Sequence, residues 1–414
     1  MTEPRQLPLP RQGPRPLAVH LATAQAMWLS SLAALPLLRS DSPSWKPSGP
    51  LGDLLPALSA TSPEQLGGAV DRAVRERADA FLTGLERYRH HPYRRDIEDP
   101  PALWREGDTR LLDYGATAPG APGAGSGRPV LFVPSLVNRG YVLDLSSRTS
   151  LLRWLAGHGF RPLLVDWGWP GAVERRYDMT DYVAGRQERA LDAAVAAAGG
   201  PMPVVGYCMG GLFVAALARR RPREVSAAVF MATPWDFHAA DLPTVERLVA
   251  SMTPVLPLVR EWGELPVDGI QSLFAGLDPM LAVNKFSRFA RLDPDSDKAR
   301  GFVALEDWLN DGVPLVGQVA EECIAGWYGA NTPARKQWYI AGEPVDPAAI
   351  GQPTLHLIPQ TDRIVPPASA EALAAAIPNA RRIVPPLGHI GMVVGGRAPQ
   401  LLWQVLADWL EDVK

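Results

Sequence analysis

Cysteine is nearly missing from this chain: Cys208 and Cys323 are the two among 414 residues. That density excludes a disulfide scaffold and favours a reducing, cytoplasmic setting. Two cysteines cannot close a structural zinc site, and no HExxH or CxxC spacing offers further ligands, so no metal is expected. An excess of one charge is missing too. The net charge of −3 leaves no electrostatic footprint for nucleic acid or an anionic membrane, and the basic stretch 87–95 reads as a solvated face. The glycine-rich stretch 120–127 lacks the Lys-Ser/Thr of a phosphate cradle, so it is a surface loop and no cofactor is implied. A long uninterrupted apolar run is also wanting. Residues 17–38 come nearest, following Arg5, Arg11 and Arg15 in the manner of a signal peptide or a spanning helix. His20, Thr23, Gln25, Ser30 and Ser31 interrupt the run and Pro36 breaks it, so a buried or amphipathic helix is expected, and no transmembrane segment.

What is present is the makings of a large core, with 47% hydrophobic and 21% charged residues. Residues 1–105 form a proline-rich extension without strand-like runs. Within it Ser62-Pro63-Glu64-Gln65 marks a helix start, with Ser62 as cap, and the helix should run to about Arg89 before His91-Pro92 stops it. From Leu111 the pattern changes to short aliphatic runs at 130–133, 163–165, 204–205, 227–231, 354–358 and 382–384. Helical spacing at 150–157, 182–198, 212–219 and 401–410 lies between or after them. Runs apolar on both faces suit parallel strands covered by helices, so residues 106–414 predict an α/β domain with a doubly wound, mostly parallel sheet. The alternation lapses over about 238–350, where Trp-, Phe- and Asp-rich helical runs at 302–309 and 319–328 predict a helical cap inserted between two core strands.

The chemistry centres on Val204-Val205-Gly206-Tyr207-Cys208-Met209-Gly210-Gly211, which is a strand, then G-x-C-x-G, then a helix. This is the nucleophile elbow, a tight turn that exposes its central residue at the carboxyl edge of a sheet. Side chains at Gly206 and Gly210 would collide with the turn, and Gly211 lets the helix close on the strand. The helix start also turns free N–H groups towards the sulfur, which favours an anion there. Acid and base should follow in chain order. Asp362, in Thr361-Asp362-Arg363-Ile364-Val365-Pro366, follows a strand, and His389, in Leu387-Gly388-His389-Ile390-Gly391, precedes the last helix. Of seven histidines it alone combines this position with flanking glycines. Asp236, in the loop after the preceding strand, is the alternative acid. For an oxyanion hole the N–H of Met209 is one donor, and Leu136, in the loop after 130–133, is the choice for the second, since Pro134 has no N–H. Cys323 lacks a glycine elbow and reads as packing.

The elbow GYCMGG, the stretch PSLVNRGYVLDL from Pro134 to Leu145, the acid loop TDRIVPP and the base loop GHIGMVV together resemble the polyhydroxyalkanoate synthases, which have the α/β-hydrolase fold. The inserted region, from GFVALEDWLNDGVPL through WYIAGEPVDPAAI, looks like the compact class that works with a partner subunit. The resemblance implies that Cys208 takes a 3-hydroxyacyl group from coenzyme A, that His389 activates the thiol, and that Asp362 supports His389 or the incoming hydroxyl, with a polyester as product. It implies cytoplasmic work at polyester granules, as a homodimer or with a second subunit. The family usually has histidine after the acid, and here Arg363 stands there. A cysteine-dependent thioesterase or intracellular depolymerase is the alternative enzyme, and a non-catalytic scaffold that kept the fold is a third reading.

Overall fold

The computed structural model describes residues 11–34, 36 and 50–413, apart from 119, 122, 124 and 240. Arg5, the end of the apolar stretch at 37–38 and parts of the 120–127 loop lie outside the described residues. The chain divides into two compact units, Met1–Arg94 with Gln271–Asn310, and Arg95–Ile270 with Asp311–Lys414.

The first unit is helical. Ser62 caps the helix Pro63–His90, its side chain accepting from Gln65 N, as the sequence predicts. Leu66, Phe81, Leu85 and Tyr88 make its buried stripe. Phe81, Leu85 and Tyr88 pack with Ala24, Val283, Phe286, Phe289 and Val303 in one apolar cluster. The backbones come close at Gly84, where a Cβ would lie 2.0 Å from the carbonyl oxygen of Phe286. Asp307 takes both Arg11 (2.6 and 2.7 Å) and the hydroxyl of Tyr88 (2.9 Å). The apolar stretch 17–38 contains the helix Leu17–Ala33, with His20 and Ala24 buried. Among the described residues no helix is long and apolar enough to cross a membrane.

The second unit is built on an eight-stranded sheet. Its strands are β1 (Ala102–Glu106), β2 (Thr109–Asp113), β3 (Arg128–Val133), β4 (Phe160–Asp166), β5 (Met202–Tyr207), β6 (Val225–Met231), β7 (Thr354–Leu357) and β8 (Arg381–Ile383). Their spatial order is β1-β2-β4-β3-β5-β6-β7-β8. From β4 to β8 every pairing is parallel, and β2 joins β4 antiparallel. All seven residues of β4 are buried, as expected of a strand covered on both faces. The buried pair Arg161–Asp113, at 2.8 Å, ties β4 to β2.

The hairpin β1–β2 is the part of the sheet the aliphatic runs did not announce. It turns through Gly107 at φ 57°. Its first strand is largely exposed, so it lacks the two-sided apolar signature that marks the others. His356 lies in β7, 1% exposed and stacked on Phe230 at 4.7 Å. Burial, with help from the charge of Arg382, pushes its imidazole down to about 3 and keeps it a neutral part of the core.

Candidate active site

The carboxyl ends of β3, β5, β6, β7 and β8 are neighbours, and Leu136, Cys208, Asp236, Asp362 and His389 each lie just past one of them, with Gly206 at the end of β5 and Met209, Gly210 and Gly211 opening the helix that follows it. The Cys208 N–H continues the ladder by donating to Met231 O at 2.9 Å, and the chain then turns abruptly. Cys208 has φ 54° and ψ −125°, a conformation an L-residue adopts at a cost of about 1–3 kcal/mol. The helix Met209–Arg220 starts at once, and ten of its residues are buried.

The three glycines are required by close approach. A Cβ on Gly206 would lie 2.4 Å from the Cα of Gly211, and one on Gly211 would lie 1.8 Å from Thr233 Oγ1. At Gly210 it would fall 2.1 Å from Val133 O and 2.7 Å from Pro134 O, so the loop after β3 runs directly against the elbow. That loop is itself pinned: Trp167 Nε1 donates to Pro134 O at 2.9 Å, and Val137 N donates to Ser135 Oγ at 3.0 Å. Leu136 and Met209 are both 6% exposed. The sulfur-bearing residue is not sealed, because Cys208 is half-buried.

Asp362 and His389 meet at 2.7 Å, His389 Nδ1 donating to Asp362 Oδ2. The other carboxylate oxygen accepts from Ile364 N at 2.8 Å and Val365 N at 2.9 Å, which fixes the plane of the group. Thr361 fastens the acid loop to the base loop, its N–H and hydroxyl both donating to Leu387 O at 3.0 and 2.9 Å. Nδ1 being occupied by Asp362, the other ring nitrogen is left to face the Cys208 side chain, which is near enough to act on the protonation of the imidazole. Burial works to lower the His389 pKa. The charge of Cys208, the hydrogen bonds to Asp362 and Cys208 and the charge of Asp362 outweigh it, and the imidazole is pushed up to about 10. Both side chains facing the ring therefore favour its protonated form.

Asp236 has other partners. Its Oδ1 accepts from His238 N at 2.9 Å and from Asn331 Nδ2 at 2.8 Å. Cys323 lies in the π-helical turn Glu322–Gly329, where burial first and then the charge of Glu322 push its thiol well up. Tyr207 was not singled out from the sequence although it stands inside the elbow. Its hydroxyl donates to His389 O at 3.1 Å and its ring lies 5.3 Å from the imidazole, so it helps to hold His389 in place. Asn331, whose side chain bonds Asp236, was not singled out either, and no local motif announces it. Among the described residues no group of three or more His, Cys, Asp or Glu could hold a metal ion.

A family profile described as the alpha/beta hydrolase fold matches residues 128–395. The chain is 29% identical over 291 residues to the poly(3-hydroxyalkanoate) polymerase subunit PhaC of Allochromatium vinosum, covering 69% of this chain and 81% of that one. It is 30% identical to the protein of the same name from Synechocystis, covering 69% and 78%. With that of Haloarcula marismortui the identity is 27%, covering 77% of this chain and 69% of the other. On the strength of the strand order, the profile and these relatives, the chain belongs to the α/β-hydrolase fold family and, within it, to the poly(3-hydroxyalkanoate) polymerases.

Proposed function

We propose that this protein transfers 3-hydroxyacyl groups from coenzyme A into a growing polyester through an acyl-cysteine at Cys208. The observation that carries the reading is the His389–Asp362 pair, Nδ1 donating to the carboxylate, with the Cys208 side chain near enough to act on the same imidazole. The Cys208 thiolate adds to the thioester carbonyl, and the oxyanion that forms is received by the N–H groups of Met209 and Leu136. The coenzyme A thiolate leaves and takes the proton of His389. The neutral imidazole then accepts the proton of an incoming 3-hydroxyl as that oxygen attacks the acyl-cysteine, which releases the Cys208 sulfur as thiolate and restores the starting pair. Asp362 holds the ring in the required tautomer throughout.

Exchange of one thioester for another is nearly balanced, so loading needs no large thermodynamic step. Residues 106–414 act as the catalytic domain, and the expected cap, of which 238–270 and 311–350 lie in the same unit as the sheet, supplies Trp327 and Trp338, 2% exposed each, as water-excluding material near the site's own loops. The relatives above are named as subunits, and we carry that over: the chain works with a partner subunit or as a homodimer, at the surface of its polyester granule.

Incubation with 3-hydroxybutyryl-CoA tests the reading. Free coenzyme A with insoluble polymer is the expected outcome, whereas free coenzyme A with soluble 3-hydroxybutyrate would assign a hydrolase. Cys208→Ala should abolish the acyl-enzyme seen by intact mass and lower coenzyme A release by about a thousandfold or more. Cys323→Ala should retain both.

A further inference from the structure

Tyr207 closes β5, and the strand decides which way it points. The residue before it, Gly206, faces the helix Met209–Arg220, where a Cβ would lie 2.4 Å from the Cα of Gly211. Successive side chains of a strand alternate between faces, so Tyr207 projects from the other one. It is 5% exposed there and meets His389 twice. Its hydroxyl donates to His389 O at 3.1 Å, and its ring centroid lies 5.3 Å from that of the imidazole, with the planes 30° apart. Burial, followed by the charges of Cys208 and Asp362, holds the phenol pKa well above its ordinary value, so the hydroxyl keeps its proton to donate.

The carbonyl it reaches is one that the following turn passes over. Met392 N donates to Gly388 O at 2.9 Å and Val393 N donates to Ile390 O at 3.0 Å. His389 O stands between those two acceptors in the chain, and a carbonyl in so buried a residue needs a donor. The Tyr207 hydroxyl supplies it. The ring contact has a separate use. Two nearly parallel rings at this separation lie in an offset stack, and a cation within about 6 Å of an aromatic centroid is attracted to the ring face. Asp362 therefore holds one edge of the imidazole, at 2.7 Å, and Tyr207 lies against its plane. These contacts also close a circuit. Cys208 packs against Ile358, Val365, Ala370 and Ala374, which belong to the acid loop and its flanking strand and helix. Thr361 joins the acid loop to the base loop, and Tyr207 joins the base loop back to the elbow.

We infer that Tyr207 is a positioning residue for His389: its hydroxyl carries the backbone of the base and its ring shelters the imidazolium, so the elbow orients the base as well as the nucleophile. The inference rests on His389 being the base of the proposed reaction, and it gives the residue between Gly206 and Cys208 a task of its own. Buried as it is, Tyr207 acts through His389 and not on the acyl group.

The test uses the full chain, with the His389 ring resonances followed by NMR across pH. Tyr207→Met fills much of the same space without a ring face and should lower the titration midpoint by roughly half a pH unit to one. Tyr207→Phe keeps the face and should leave the midpoint within about 0.3 of the native value. With 3-hydroxybutyryl-CoA, Tyr207→Phe should lower kcat about fivefold through the lost hydroxyl and Tyr207→Met about twentyfold through both losses, each with KM within about twofold. A midpoint unmoved in Tyr207→Met overturns the proposal, as does an equal drop in Tyr207→Phe. Should the methionine variant not fold, Tyr207→Leu decides by the same midpoint. The titration needs no acyl-CoA chemistry, so the two readings fail separately. A lowered midpoint in a protein that releases no coenzyme A leaves the hold on the imidazole standing and removes acyl transfer, while coenzyme A release with an unmoved midpoint removes the hold alone.

Discussion

Two aspartates leave adjacent strands of one sheet, and their surroundings could hardly differ more. Asp362, after β7, has one oxygen held by the N–H groups of Ile364 and Val365 and presents the other to His389. Asp236, after β6, turns its Oδ1 to Asn331 and to the backbone of His238. Both are carboxylates in loops at the carboxyl edge of the sheet, so type and position alone do not separate them. Separation comes from what holds the imidazole: Thr361 and Leu387 tie the acid loop to the base loop, whereas Asp236 is bound into the turn that carries Tyr328. The two carboxylates are thus told apart by their partners, one reaching an imidazole and the other an amide side chain and a backbone N–H.

The contrast can be broken most directly by replacing each carboxylate with its amide. Asp362→Asn should lower coenzyme A release from 3-hydroxybutyryl-CoA by about a hundredfold or more, since the amide favours the wrong imidazole tautomer and leaves the cation without its counter-charge. Asp236→Asn retains an oxygen for both of its donors and should stay within about threefold. The opposite ranking would make Asp236 the acid.

Titration sharpens the difference next. The His389 imidazole, followed by NMR, should titrate well above its ordinary 6.5 in the native protein. It should move back towards that value in Asp362→Asn and keep its place in Asp236→Asn. The stability linked to it follows in sign. A base raised in the fold stabilises fully below its unfolded pKa, so native stability should decline as pH rises from about 6.5 towards about 10. Asp362→Asn should flatten that decline, as thermal melts across the interval would show.

The smallest effect concerns the hydrogen bond between Asn331 and Asp236. A double-mutant cycle of Asp236→Ala with Asn331→Gly should give a coupling of about 1 kcal/mol in urea unfolding. Glycine is chosen because Asn331 has φ 54°, a conformation glycine takes without strain. Zero coupling would mean that the hydrogen bond between them contributes nothing to holding the turn.

Much of the fold was legible because parallel strands are buried on both faces. The aliphatic runs at 130–133, 163–165 and 227–231 fall inside β3, β4 and β6. The hairpin β1–β2 escaped because Arg105, Glu106 and Arg110 break its apolar runs; its readable sign was the turn Glu106-Gly107-Asp108. In the candidate site the elbow could be read because everything it needs is contiguous, from the strand through the glycines to the helix. Asp362 and His389 could be named because each stands just past a strand. Asn331 could not, since it reaches this edge through tertiary packing from a stretch with ordinary helical composition. The π-helical turns at Asp181–Gln187 and Glu322–Gly329 were invisible for the same reason. A helix widened by one residue keeps its apolar spacing nearly intact.

The helix that begins at Met209 is enclosed by protein over nearly its whole length. A segment so enclosed exchanges its amide hydrogens with solvent only when the entire unit unfolds. Loosening that reaches the loops after β6 or β7 therefore leaves the sulfur's mounting untouched, and a protein altered at Asp362 or Asp236 should still carry Cys208 at its native station.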